Sequence, residues 1–190
     1  MKKIPLFVLI AFLAACTSSP NQSKTAADTT SGPGPAKQEN MAYPYTASYS
    51  SDFEMGDAKN AQTLLTVYQN WDNNTLDSAK RFFAENDTMF FSDGIMFAGN
   101  RDSLFVLAKK KREPMGNVVD SIHAWIPLRS KDKKEEWVVI WTREIATDAH
   151  GKKTAKELQE TWRFDKNGKI NLMYQYEQAP PKMMPPAAKK

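Results

Sequence analysis

The feature that most restricts this chain is a series of four long β-type segments, at 117–128, 135–147, 154–164 and 169–177. Ser130 to Lys134, Asp148 to Lys152 and Asp165-Lys166-Asn167-Gly168 separate them as short runs of turn-forming residues. Such connections are too brief to hold a crossover helix, so consecutive strands must lie side by side and antiparallel. Apolar and polar side chains alternate along most of these segments, which gives the meander one face in need of cover.

The cover lies upstream. Ala58, Ala61, Leu64, Leu65, Tyr68 and Trp71 recur at helical spacing and predict an amphipathic helix over 57–72. Asn74 or Thr75 caps a short second helix with Leu76, Ala79, Phe82 and Phe83 on one face. Thr88 to Ser92 reads as a short strand, Asp93-Gly94 as a turn, and Ile95 to Ala98 as the partner strand. Asn100 opens a third helix carrying Leu104, Leu107 and Ala108, which Pro114 and Gly116 end. Helices followed by long strands make an α+β domain, here over 43–179, with the helices on one face of the sheet.

The segments around that domain have a different character. Lys2-Lys3 precede a ten-residue apolar run from Ile4 to Leu13. A bilayer span needs roughly 20 such residues, so residues 1–15 read as a signal peptide. Leu13-Ala14-Ala15-Cys16 then resembles the lipobox of bacterial lipoproteins. The resemblance implies cleavage after Ala15, a diacylglyceryl thioether on Cys16 and acylation of the new amino terminus. At roughly 0.8 kcal/mol per buried CH₂, several acyl chains bind a membrane almost permanently. The expected location is the bacterial cell envelope; with no acidic residue directly after Cys16, it is the outer membrane, facing the periplasm. Residues 16–42 are rich in Ser, Thr, Pro, Gly and Ala and cannot bury enough surface to offset their ordering entropy, so they read as a flexible tether. Residues 180–190 read as a Pro-rich, disordered tail.

Composition removes several function classes. A single cysteine allows no internal disulfide, so the domain relies on its core, for which five Trp, ten Phe and six Tyr are available. Two His and no Cys in the folded part argue against a zinc site, and no cofactor motif is present. The formal charge of +4 includes Lys2 and Lys3 of the leader, and the remaining excess is too diffuse for nucleic-acid binding.

The order of elements over residues 52–179 resembles the nuclear-transport-factor-2-like fold and, within it, the SnoaL-like (polyketide-cyclase-like) group. The likeness rests on the helix through Trp71, on Phe82-Phe83-Ala84-Glu85-Asn86-Asp87 entering the first strand, and on Trp137-Val138-Val139-Ile140-Trp141. Trp162-Arg163-Phe164-Asp165-Lys166-Asn167-Gly168-Lys169-Ile170 completes it. It implies a cone: a curved antiparallel sheet wrapped around three N-terminal helices, with a pocket at the open end. It also implies isomerase, cyclase or dehydratase activity, or ligand binding without catalysis.

Strand alternation then sorts the candidate residues. An Asn-Gly bulged hairpin keeps Phe164 and Ile170 on one face. That register puts Leu158, Glu160, Trp162 and Phe164 on the pocket face with Ile170, Leu172, Tyr174 and Tyr176. Glu160 is then a carboxyl among aromatics, either an acid–base group with a raised pKa or a structural partner of a tyrosine hydroxyl. Asp120 shares the apolar face of its strand with Val118 and Ile122, whereas His123 falls on the outer face with Val119 and Trp125. Asp93 stands where cyclase-like relatives often carry an acid, though an Asp-Gly turn accounts for it equally.

The leading expectation is a tethered domain that binds a small apolar ligand or an envelope partner without catalysis. The alternative is proton transfer beside a carbonyl, with Glu160 or Asp93 as base and Tyr174 or Tyr176 polarising the oxygen. The strand Trp137 to Trp141 is apolar on both faces, which points to a homodimer, or to capture of a partner, through the outer face of the sheet.

Overall fold

The computed structural model describes residues 42–180; the signal peptide, Cys16, most of the tether and the tail beyond Pro180 lie outside the described residues. The domain contains β1 (Phe53–Met55), α1 (Ala58–Asp72), α2 (Leu76–Ala79), β2 (Phe83–Phe90), β3 (Met96–Asn100) and α3 (Arg101–Arg112). The long strands follow: β4 (Asn117–Ser130), β5 (Glu136–Thr147), β6 (Lys153–Phe164) and β7 (Ile170–Gln178). All seven strands form one sheet in the order β1-β4-β5-β6-β7-β2-β3. The α+β class, the three helices and the β4–β7 meander are as predicted.

The sheet is mixed, however, since β2 pairs with β7 in parallel while every other pair is antiparallel. Tight turns fix the antiparallel sense of consecutive strands. No such turn links β2 to β7, so the β2–β3 hairpin docks on the free edge in the direction set by the helices before it. β1, which the alternation pattern does not mark, covers the opposite edge at β4.

Local chemistry sets the helix ends. Asp57 caps α1 by accepting from Lys59 N at 2.9 Å, and Asn100 caps α3 by accepting from Ser103 N at 2.8 Å. At the far end of α3, Arg112 is only 2% exposed. Its guanidinium donates to the carbonyls of Trp71 (2.8 Å), Asp72 (3.0 Å) and Gly116 (2.8 Å). One buried cation thus satisfies the last carbonyls of α1 and ties both helices to the start of β4. Gly116 makes the turn with φ +66, where a Cβ would stand 2.2 Å from the Thr147 carbonyl oxygen.

The helices pack on the inner face of the sheet. Leu64, Val138, Ile140 and Ile170 are wholly buried there, with Phe164 and Trp162 beside them. Two bulges decide which side chains reach this face. In β4, Ile122 pairs with Thr142 and Ala124 with Trp141, so His123 is the extra residue. In β7, Ile170 pairs with Phe164 and Leu172 with Arg163, so Asn171 is extra. Each insertion reverses the parity of everything beyond it.

Candidate functional site

Between the helices and the inner face lies a cavity of about 150 Å³. Its apolar wall includes Met89, Leu104, Phe105, Leu158, Trp162 and Met173. Polar lining comes from Asp120, Glu144, Glu160, Tyr68 and Gln175, with Lys111 also on the wall.

Glu160 stands on β6 opposite Ile140 and is 4% exposed. One carboxylate oxygen accepts from the Tyr68 hydroxyl and from Trp162 Nε1 (2.9 Å), and the other accepts from Gln175 Nε2 at 2.6 Å. Burial raises its pKa, while the three donors act in the opposite direction. Burial, and then the charge of Glu160, hold the Tyr68 phenol far from ionisation.

A second group lies towards the start of β4. Asp120 and Glu144 are directly paired across β4 and β5. The Asp120 amide donates to Asp72 Oδ1 at 3.0 Å, and the Thr142 hydroxyl donates to Asp120 Oδ1 at 3.2 Å. Burial, with the neighbouring charges of Asp72 and Glu144, pushes the Asp120 carboxyl up to about 8. Glu144 accepts from Trp71 Nε1 at 2.9 Å; burial raises its pKa despite that donor. Asp120 therefore holds a proton at neutral pH within a cluster of acids.

Several sequence-derived placements need correction. Leu172, Tyr174 and Tyr176 do not line the cavity. The extra residue at Asn171 turns them to the outer face, where Tyr174 stacks on Phe90 at 4.9 Å between ring centroids. Met173 and Gln175 occupy the inner positions instead. Phe164 faces inward but is packed into the core rather than onto the cavity. Asp93 sits in its turn, where one oxygen accepts from Ile95 N (3.0 Å) and the other lies 3.2 Å from Lys111 Nζ. These local contacts account for it, and it does not line the cavity. Trp125 pairs with Ile140 and so leaves the outer face on which its parity with Val119 had placed it. Glu160, Trp162 and Asp120 do reach the cavity.

Tyr68, Trp71, Glu144 and Gln175 were not singled out from the sequence. Tyr68 and Trp71 are the members of the α1 apolar stripe with a polar handle, which was the available signal. Glu144 shares parity with Val138, Ile140 and Thr142, but the apolar run Trp137 to Trp141 conceals which face is inner. Gln175 becomes visible only once the Asn171 bulge is known.

No family model matches the chain, and no curated protein matches it. Solved structures do. The chain is similar to an NTF2-like protein of unknown function from Exiguobacterium sp. 255-15, with a TM-score of 0.52 and 15% identity, covering 62% of this chain and 99% of that one. It is similar to an NTF2-like protein from Anabaena variabilis ATCC 29413, with a TM-score of 0.52 and 16% identity, covering 65% and 90%. SalBIII, described as an epoxide hydrolase/cyclase-like enzyme in pyran ring formation, matches with a TM-score of 0.50 and 12% identity, covering 64% and 92%. At these identities what is shared is the fold.

Proposed function

We propose that this chain, which has the NTF2-like fold, is a small-molecule-binding protein held to a membrane by lipid on Cys16. The observation that carries the binding role is the cavity: about 150 Å³, walled by apolar side chains, with carboxyl groups among its few polar ones. A cavity of that size and character accommodates a molecule the size of benzene. The lipobox-like Leu13-Ala14-Ala15-Cys16 supports the anchor, and with it a place in the cell envelope. Val119, Trp141 and Tyr176 are exposed, and the register sets all three on the outer face of the sheet. They support pairing with a second copy through that face.

Xenon tests the cavity directly. In protein carrying ¹³C-labelled methionine methyls, xenon should shift Met89 and Met173, which line the cavity, and leave the exposed Met55 in place. Unmoved Met89 and Met173 signals would mean that the space is closed, and the binding role would fall.

A second reading, proton transfer, is favoured by one observation. Asp120, with its pKa near 8, and Glu144 stand side by side at one apolar cavity, an arrangement that suits a paired acid and base. The donor roles first given to Tyr174 and Tyr176 have no place in it, because both face away. In such an enzyme, activity would change through pH 8, and Asp120→Asn would abolish that limb; an unchanged pH profile in the variant would exclude Asp120 as the acid.

A further inference from the structure

The hydrogen-bonding groups of the cavity are unequally committed. Tyr68, Trp162 and Gln175 all donate to Glu160, and Trp71 donates to Glu144. Lys111 is held by Asp93 and lies 4.2 Å from the centre of the Phe91 ring. The donors of the wall are thus largely engaged with the protein itself. Acceptors remain: Glu144 uses one oxygen for Trp71, and no donor among the described residues is recorded on the other. A carboxylate offers about four lone-pair sites, so Glu160 keeps capacity beyond its three donors.

Charge points the same way. Asp120, Glu144 and Glu160 stand on the cavity wall, and Asp72 lies behind Asp120, accepting from its amide at 3.0 Å. With Asp120 protonated at neutral pH, the negative charge here rests on its acidic neighbours. The nearby cations are engaged elsewhere: Arg112 with three backbone carbonyls, and Lys156 with Glu177 at 3.2 Å. A carboxylate or phosphate ligand would meet repulsion and few free donors. A neutral hydrocarbon would leave the second Glu144 oxygen without a donor, which is costly in a dry site.

We infer that the cavity takes a small organic cation, a primary ammonium on a short hydrocarbon body, with its N–H groups on Glu144 and Asp120 and its body against Met89, Leu104 and Phe105. This rests on the ligand-binding role proposed above. The compact volume limits the body to about the size of a branched C5 chain or a single ring.

The test compares three molecules of one shape: isopentylammonium, isopentyl alcohol and 4-methylpentanoate. Each is titrated into the full chain at pH 7 and read at the Met89 and Met173 methyls. The ammonium should bind at least about tenfold more tightly than the alcohol, since charge-assisted hydrogen bonds are about twice as strong as neutral ones. The carboxylate should not bind. Glu144→Gln should weaken the ammonium about tenfold and leave the alcohol within about twofold, a difference that loss of folding cannot mimic. If the alcohol or the carboxylate binds as tightly as the ammonium, the cation assignment is overturned while the cavity stands. If none of the three binds and xenon leaves the two methyls unmoved, the binding role itself fails, and the cation assignment with it.

Discussion

The inner face of the sheet has two ends built from the same alternation of side chains. At one end Val138, Phe164 and Ile170 are packed to closure with Leu64 of α1. At the other, Asp120, Glu144 and Glu160 take the inward positions, and the helices stand off enough to leave a cavity. The closed end supplies cohesion through buried apolar surface. The acidic end works against stability, since it gathers carboxyl groups whose charged forms are disfavoured by burial. Such a gathering of raised carboxyl pKa values at a cavity is the arrangement on which the proposed binding role rests.

Substitutions at the two ends should therefore behave in opposite ways. Phe164→Ala carries the largest effect, because it empties a position that is 3% exposed in the core. A loss of about 3–5 kcal/mol is expected from urea unfolding. A cost below about 1 kcal/mol would show that the closed end is not close-packed.

Tyr68→Phe and Tyr174→Phe sharpen the contrast between the inner and outer sides of the sheet. Removing the Tyr68 hydroxyl leaves Glu160 one donor short in a buried site, at a cost of about 1–2 kcal/mol. The same change at Tyr174, which stacks on Phe90 outside the cavity, should stay within about 0.5 kcal/mol. Equal effects would contradict the register imposed by the Asn171 bulge.

Asp120→Asn should move stability the other way. A carboxyl whose folded pKa is about 8 and whose ordinary value is 3.8 binds a proton more tightly folded than unfolded. Its contribution is complete below about pH 4 and is lost as pH rises through about 8. Asp87, pushed up to about 7 chiefly by burial, acts in the same direction and remains in the variant. Asp120→Asn should thus flatten the fall in stability between pH 4 and 8, gaining about 1 kcal/mol at pH 8–9; residual solvent contact keeps this below the full linkage value. An unchanged slope would remove Asp120 from the acidic end.

Much of this fold was legible in the sequence, for identifiable reasons. Long alternating strands with Asp-Lys-Asn-Gly and similar turns specify a meander almost uniquely, and the helical spacing from Ala58 to Trp71 specifies its cover. The predicted strands at 135–147 and 169–177 lie within one residue of β5 and β7 at each end. The site was less legible, because side-chain direction depends on parity, and parity depends on single inserted residues. Nothing in Ile170-Asn171-Leu172 announces a bulge, yet it exchanges Tyr174 and Tyr176 for Met173 and Gln175. Asp120 was found because it precedes the bulge of its strand, and Glu160 because β6 carries no inserted residue, so that simple alternation holds for both. The parallel docking of β2 on β7 joins segments as far apart in the chain as Phe83 and Ile170, beyond the reach of any local pattern.

The most direct measurement is a titration of the aspartate and glutamate side-chain carboxyl carbons by NMR, with Asp120 assigned through Asp120→Asn. Asp120 should keep its proton through neutrality and lose it near pH 8, with Glu144 titrating above the usual carboxylate range because of its burial. An Asp120 that ionises near pH 4, as an exposed aspartate does, would mean that the acidic end is open water rather than the crowded, half-dry site that the proposed binding role requires.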